Sequence, residues 1–343
     1  MEKTELTPRK QKLLSLIIEH FIASGEPVGS KFLSSVFDTA ISSATIRNEM
    51  SELASIGFIE QPHTSAGRVP SQKGYRYYID NLMHSYELSP DEQVAVLSRI
   101  DPTAGEPREL LRQVSDLLSE ITGCVCIASQ PSSEAEAIER IELVHLGKKT
   151  AMIVVKSTAG VIKNRVCRTD TQLQLDDAEL FYNIARGRFI GNTCGSISRA
   201  DVQSISASLG DKALSMAPLI AELADLVNSQ ARSEVIASGK NKLLHLRDFA
   251  RSIYQLTELF DDNEALLALL NQSSEAISIS IGRENKIRQL EDAAVVTARY
   301  EAKGRGGAIS LIGPIRMDYQ RIIPCMKFVC QVVSDILTEN ADD

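Results

Sequence analysis

The chain has 343 residues, a formal net charge of −8 and 43% hydrophobic residues, and these values predict a globular protein of two or three domains. No apolar run approaches the ~18 residues of a membrane span, and the first residues lack the apolar core of a signal peptide. We therefore expect a cytoplasmic protein without a membrane segment. The six cysteines form no paired CxxC motif, which favours reduced thiols.

The charge is distributed unevenly along the chain. Residues 1–83 contain nine basic and nine acidic residues, so the remainder carries the whole net charge of −8. An acidic body would repel DNA from the wrong surface while leaving a neutral N-terminal segment free to approach it.

The N-terminal segment predicts three helices, a β-hairpin and a further helix. The first helix spans residues 8–24 with Thr7 as its cap, and Ser30 is expected to cap the second. The third spans residues 43–56 and ends at Gly57, which tolerates a left-handed conformation. A hairpin over residues 58–70 follows, and Ser71 is expected to cap the next helix. This order is typical of a winged helix-turn-helix.

The third helix carries the candidate DNA-reading residues. At about 100° per residue, its apolar side chains share one face, and short polar side chains of the kind that contact base edges share the other. The stretch from 61 to 79 contains no acidic residue, which suits a phosphate backbone. A solvated helix without a partner is the alternative. The predicted DNA-binding residues are Ser43, Ala44, Thr45, Arg47, Asn48, Ser51, Glu52, His63, Thr64, Arg68 and Lys73.

The rest of the chain predicts an α+β body. A connecting helix with buried tyrosines is expected after Ser71, and a polar linker with one short helix after residue 86. The further predicted elements are a helix at 109–122, strands at 124–128, 141–146, 150–155 and 160–166, a helix at 176–189, a helical region at 198–271 with breaks near Gly210, Pro218 and Gly239, strands at 277–281, 293–300 and 308–312, and a closing helix at 317–337. Strands on both sides of a helical region indicate one α+β domain with a helical insertion.

The chain offers little that favours catalysis. Its five histidines form no HExxH motif or cluster, so no metal site is expected. Residues 304–307 are glycine-rich but lack the lysine of a phosphate-binding loop and precede a strand. Arg283, Glu284 and Asn285 follow a strand, where they would either line a ligand site or form a solvated turn. We expect neither a cofactor nor an enzyme.

Five motifs resemble one known family over nearly the whole chain. They are GEPVGSKFL at 25–33, SSATIRNEM at 42–50, IGFIEQPHTSAGRVPSQKGYRYYID at 56–80, IGREN at 281–285 and GAISLIGPIRMDY at 307–319. The sequence is similar to HrcA, the family of bacterial heat-inducible transcription repressors. The helical middle of the chain matches that family poorly.

The resemblance implies a domain order and a set of partners. It implies a winged helix-turn-helix at 1–85, a linker at 86–108, a GAF-like α+β domain at 109–197 and 273–343, and an inserted helical dimerisation domain at 198–272. It further implies a homodimer that binds double-stranded DNA at the CIRCE inverted repeat of chaperone operons and is modulated by the GroEL chaperonin. The alternative is a winged-helix transcription factor that senses a small molecule in its GAF-like domain.

The leucines of the helical region suggest where two copies would meet. Leu219, Leu223, Leu226, Leu243, Leu244 and Leu246 are more than a small helical unit is expected to bury alone. We therefore expect the dimer contact in this region.

Overall fold

The computed structural model describes residues 6–37, 41–63, 66–84, 86–104, 106–131, 136–158, 161–230, 235–250, 252–302 and 304–340. The chain divides into two compact units. The larger unit comprises residues 1–130, 235–303 and 307–343, and the inserted unit comprises residues 131–234 with 304–306. None of the described helices is long and apolar enough to cross a membrane.

The first part of the larger unit, residues 6–84, is called the head below. It contains the helices α1 (Pro8–Ser24), α2 (Ser30–Val36), α3 (Ser43–Ser55) and α4 (Gln72–Tyr77), a two-stranded antiparallel hairpin of β1 (Ile59–Glu60) and β2 (Val69–Pro70), and a π-helical turn (Tyr78–Leu82). The predicted order of helices and hairpin is confirmed. One detail is wrong: Ser30 is the first residue of α2, and Gly29 precedes it without any side-chain cap.

The remaining elements follow in chain order. They are α5 (Pro90–Leu97), α6 (Pro107–Thr122), β3 (Val125–Ser129), β4 (Ile138–Gly147), β5 (Thr150–Ser157), β6 (Ile162–Arg168), α7 (Leu175–Arg188), α8 (Arg199–Ala207), α9 (Ala213–Gln230), β7 (Val235–Ser238), α10 (Ile253–Asp261), α11 (Asn263–Leu270), β8 (Ile277–Ile281), β9 (Ala293–Ala302), β10 (Arg305–Pro314) and α12 (Tyr319–Glu339). Short 3-10 turns lie at Gly210–Lys212, Lys240–His245, Arg247–Phe249, Gly282–Glu284 and Arg288–Leu290.

A five-stranded sheet in the order β7-β3-β10-β9-β8 organises the larger unit. Strand β3 is buried along its whole length because both of its faces are covered. Cys126 and Ala128 belong to the core formed with α6 and α12, whereas Val125 and Ile127 belong to the core formed with α10 and α11. The sheet therefore lies between two helical layers, in agreement with the predicted α+β class.

The head shares its core with this sheet. Leu14, Ile17 and Leu53 of the head belong to the same cluster of buried residues as α6 and α12. Val96 and Ile100, from the region predicted to be a polar linker, are also buried in that cluster. The head is consequently part of the larger unit, and residues 86–108 do more than connect two domains.

The inserted unit contains its own three-stranded antiparallel sheet in the order β4-β5-β6. Alternate residues such as Ile141, Ile153 and Cys167 pack with helices α7 to α9 in a separate core. The predicted insertion at 198–272 therefore differs from the compact unit at 131–234. The reason is physical: an alternating pattern predicts a strand but contains no information about which sheet that strand joins.

The helical region also differs from its prediction at two points. Strand β7, four residues long, pairs with β3 inside this region, and a run this short has no distinctive periodicity. Pro218 does not break α9, because it is only the sixth residue of that helix and leaves unpaired a single carbonyl, that of the exposed Leu214.

Candidate nucleic-acid interface

Helix α3 is held in place by its cap and by its apolar face. The Ser42 hydroxyl accepts a hydrogen bond from the Thr45 N–H at 3.1 Å, which satisfies one of the free donors of the first turn. Ile46, Met50 and Leu53 are buried. Gly57 follows the helix with φ +80°, a left-handed conformation that directs the chain into β1.

The predicted DNA-binding residues differ in how accessible they are. Seven are exposed: Ala44, Arg47, Asn48, Ser51, Glu52, His63 and Lys73. Ser43, Thr45 and Arg68 are half-buried, and Thr64 lies outside the described residues. As the helical periodicity predicts, the side of α3 opposite its buried face carries Ala44, Asn48, Ser51 and Glu52, and Arg47 lies on the flank.

Glu52 is engaged with α1. Its carboxylate forms an ion pair with Lys10 at 2.5 Å, and the neighbouring Glu49 pairs with Arg9 at 3.4 Å. The hydrogen bond that the Lys10 ammonium donates to the Glu52 carboxylate raises the pKa of Lys10. These two pairs join α3 to α1, so Glu52 helps to fix the orientation of α3, and Lys10 neutralises the carboxylate charge of Glu52 that would otherwise repel phosphate.

Asn48 is the side chain on α3 best suited to contact a base. Ser51 donates its hydroxyl to the carbonyl of Arg47 at 2.9 Å, and Thr45 shares its hydroxyl with Ser42 at 2.9 Å. The Asn48 amide, by contrast, has no hydrogen-bond partner within the described part of the chain. An exposed amide of this kind is able to pair with both polar atoms on an adenine edge.

The hairpin is packed against the turn between α1 and α2. Arg68 and Val28 exchange two backbone hydrogen bonds of 2.8 Å each, and a Cβ on Gly67 would lie 2.5 Å from the Val28 oxygen. The Nε atom of Arg68 is buried and lacks a hydrogen-bond partner among the described residues. Arg68 therefore brings a cation to the hairpin, with one donor left unsatisfied by the protein.

Lys73 and Arg76 have partners inside the protein. Lys73 donates to the carbonyl of Ile56 at 2.8 Å, and its ammonium lies 4.9 Å from the centroid of the Phe58 ring. It thus satisfies a carbonyl at the C-terminal end of α3. Arg76 donates to Glu284 and to the carbonyl of Ile279. The absence of acidic residues between 61 and 79 therefore led to a prediction of more cations free to contact DNA than the structure provides.

The sequence did not reveal the partner of Arg76. Arg76 and Glu284 are 208 positions apart, and neither helical periodicity nor capping relates residues at that distance. The available signal was the IGREN motif at 281–285, for which the sequence favours a ligand site and a solvated turn equally. The structure gives Glu284 and Asn285 structural partners instead.

The cysteines form no reactive or metal-binding site. All six are buried free thiols, and burial raises the pKa of the Cys124 and Cys325 thiols to about 11 and that of Cys330 to about 12. In the described part of the chain, no three His, Cys, Asp or Glu residues are grouped so that they would hold a metal ion.

Comparison with known proteins places the chain in a family. The family described as "HrcA protein C terminal domain" matches residues 108–323. The chain belongs to the HrcA family. Its relatives include proteins named heat-inducible transcription repressor HrcA from Acetivibrio thermocellus (32% identity over 94% of both chains) and Methylobacillus flagellatus (32% identity over 98% of this chain and 99% of the relative). The family predicted from the motifs is confirmed.

The fold also resembles that of a solved structure. A crystal structure of a hypothetical protein at 2.2 Å resolution superposes with a TM-score of 0.67 and 24% identity, covering 98% of this chain and 100% of that one. At this identity the likeness supports the fold alone.

Proposed function

We propose that this protein is a negative regulator of heat-shock transcription that binds an inverted-repeat operator, the CIRCE element, as a homodimer. The observation that carries the proposal is the exposed, largely uncharged face of α3, whose opposite face is buried beside a hairpin with Arg68. This arrangement is typical of a winged helix-turn-helix. In that fold, the second helix of the helix-turn-helix motif enters the major groove. The names of the relatives support the repressor function.

In this proposal the head divides its contacts between bases and backbone. Asn48 pairs with an adenine edge, and the methyl groups of Ala44 and Thr45 contact thymine methyl groups. Arg47 and Arg68 contact phosphates, which position the head without reading the sequence. His63 lies exposed at the hairpin, where it contributes a further polar contact to the backbone.

The direct test is a titration of the full chain on two duplexes of equal length. One contains the inverted repeat and the other has the same bases in scrambled order. Specific repressors typically bind their sites about 10³-fold or more tightly than random DNA, and a ratio of this size is expected here. Equal affinity for both duplexes would refute the proposed function.

The homodimer is supported by a different surface from the one predicted. Leu219, Leu223 and Leu226 are buried within the core of the inserted unit itself, so they do not need a partner chain. The outer face of the β4-β5-β6 sheet instead exposes apolar side chains, and their exposed fractions range from 40% to 61%. These residues are Val144, Leu146, Ile162 and Val166. We propose that two copies meet through this face, because a symmetric dimer matches an inverted repeat.

A charge placed on this face tests the dimer. Val166→Glu and Val144→Glu should each shift the sedimentation of micromolar protein from dimer to monomer, since a carboxylate is costly to bury without a partner. Val94→Glu is the matched control, because Val94 is 64% exposed on α5 in the larger unit. Dimers that persist in both sheet variants would exclude this face as the interface.

We further propose that the GroEL chaperonin modulates the repressor, which rests on the family resemblance. The second candidate function, sensing of a small molecule, is favoured by a cavity of about 560 Å³, a volume in the usual range for ligand pockets. Apolar side chains of α5, α6 and α12, such as Val96, Leu117 and Ile322, line it.

One experiment separates the two modes of control. Operator affinity is measured with purified chaperonin and, separately, with a protein-free metabolite extract. An increase in operator affinity only with chaperonin supports chaperonin modulation, whereas an increase only with the extract supports the small-molecule sensor. Widening the cavity with Leu117→Ala should weaken a response to the extract and leave a response to chaperonin unchanged.

A further inference from the structure

Helix α4 is attached to the sheet of the larger unit by two side chains. The Nε of Arg76 donates to Glu284 at 3.0 Å, and its Nη2 donates to the carbonyl of Ile279 at 2.7 Å and to the second oxygen of Glu284. One turn earlier, the Gln72 side chain accepts from the Arg283 N–H at 3.1 Å. A planar guanidinium that forms a two-point contact with a carboxylate fixes direction as well as distance.

The loop that receives these contacts, residues 281–285, is itself held firmly. Glu284 accepts a hydrogen bond from the Ile281 N–H at 2.9 Å. The buried Asn285 amide donates to three carbonyls, those of Gly282, Leu290 and Ala293, at 2.9, 2.9 and 3.0 Å. Glu284 is therefore held on an ordered loop at the end of β8.

The approach of α4 to this loop is close. Gly282 has φ +55°, and a Cβ at that position would lie 2.1 Å from the Gln72 side-chain nitrogen. On the same helix, Tyr75 is buried and its ring centroid lies 6.3 Å from that of Tyr319, the first residue of α12. Polar and apolar contacts thus act together along one side of α4.

The other end of α4 is joined to the end of α3. The Ser71 hydroxyl, which caps α4, donates to the carbonyl of Gly57 at 2.6 Å, and the Ser71 N–H donates to the carbonyl of Phe58 at 3.0 Å. Gly57 directly follows the last turn of α3. Hydrogen bonds at one end of α4 therefore connect it to the end of α3, and those of Arg76 connect it to Glu284.

We propose that Arg76, Glu284 and Gln72 are positioning residues that fix α3 relative to the five-stranded sheet and thereby set the half-site spacing that the dimer accepts. This proposal rests on the proposed function, because it requires a dimer on an inverted repeat. One base pair moves a half-site by about 3.4 Å and turns it by about 34°. A head held by these contacts in addition to the shared core accommodates such a change poorly, whereas a head that has lost the polar contacts follows it more readily.

Glu284 permits a test that avoids direct effects on DNA contact. Glu284→Gln removes a negative charge, which by itself would strengthen DNA binding. Gln72→Ala removes the second connection without changing charge. Asp80→Asn is the matched control, because Asp80 also pairs with Arg76, at 3.3 Å, but lies on the same helical segment and does not connect it to the sheet.

The experiment measures affinity of the full-length variants for a single half-site, for the operator, and for operators with spacers changed by two base pairs. We expect the changed spacers to weaken wild-type binding by about tenfold or more, and Glu284→Gln and Gln72→Ala to reduce this penalty to about threefold or less. Half-site affinity should stay within about twofold of wild type, and Asp80→Asn should keep the full penalty.

The outcomes distinguish this proposal from the function on which it rests. The positioning role is overturned if Glu284→Gln and Gln72→Ala both lose as much affinity as the wild type when the spacer is changed. It is also overturned if the wild-type protein binds operators of all spacings equally. A loss of half-site affinity that parallels a lower unfolding temperature indicates a role in stability alone and also overturns it. A wild-type protein that does not prefer the operator to a scrambled duplex refutes the proposed function itself.

Discussion

Replacing Asn48 with alanine separates base reading from folding. Asn48 is exposed on α3 and its amide is unpaired within the described residues, so the substitution removes no internal contact. Alanine has the higher helix propensity, and the free energy of unfolding should change by only a few tenths of a kcal/mol, in the stabilising direction. The loss of a bidentate contact to adenine should cost about 1–3 kcal/mol per half-site.

In a symmetric dimer, the loss of binding free energy caused by Asn48→Ala doubles, because both half-sites lose the contact. Two half-sites give roughly 2–6 kcal/mol, which corresponds to an operator affinity about 30-fold to about 20,000-fold weaker. Fluorescence anisotropy on operator and scrambled duplexes at one fixed salt concentration measures the effect, and a thermal melt of each variant checks the fold.

Ser55→Ala is the matched control for this substitution. Ser55 is exposed in the last turn of the same helix, and its hydroxyl already donates to the carbonyl of Glu52 at 2.7 Å. Ser55→Ala should leave operator affinity within about twofold of wild type, as expected for a surface position outside the contact. If Asn48→Ala weakens binding to both duplexes equally, α3 does not read bases through this face.

The other predictions concern the hairpin, the inserted unit and the core. Arg68→Ala should weaken binding to operator and scrambled DNA alike and reduce the slope of log affinity against log salt by about 1 per subunit; an unchanged slope in a salt titration would exclude a phosphate contact. Burial alone would raise the pKa of Asp177. Hydrogen bonds from the Gln174 N–H and the Lys212 ammonium have a larger effect in the opposite direction, so the pKa of Asp177 lies below its usual value. Asp177→Asn should therefore cost about 1–3 kcal/mol at neutral pH, and urea unfolding should show this difference disappearing as pH falls below about 4; a constant difference would contradict it. Leu53→Ala, at a fully buried position, should lower the free energy of unfolding by about 2–5 kcal/mol in calorimetry or denaturant titration; a loss below about 1 kcal/mol would show that the head tolerates a cavity there.

Residues close together in the sequence determined the local structure of the head. Thr7 and Pro8 mark the start of α1, and Ser42 and Gly57 bracket α3, because caps and helix ends depend on hydrogen bonds within a few residues. The faces of α3 were equally predictable, since a period of about 3.6 residues separates Asn48 from Ile46 and Leu53. The candidate base-reading surface therefore followed from the sequence alone.

Only the tertiary structure decided which of the other predicted elements and charges belong together. Strands β4 to β6 have the alternation expected of any half-buried sheet, so the sequence placed them in one domain with β3, whereas in the described residues they form a separate three-stranded sheet. Arg76 and Lys73 are basic residues in the stretch from 61 to 79 that lacks acidic residues, which suggested contacts with DNA. In the structure, Arg76 binds Glu284 and Lys73 binds the end of α3. Side-chain partners and strand pairings far apart in the chain are chosen by packing and by the cost of leaving buried polar groups unpaired, and neither is encoded in a local pattern.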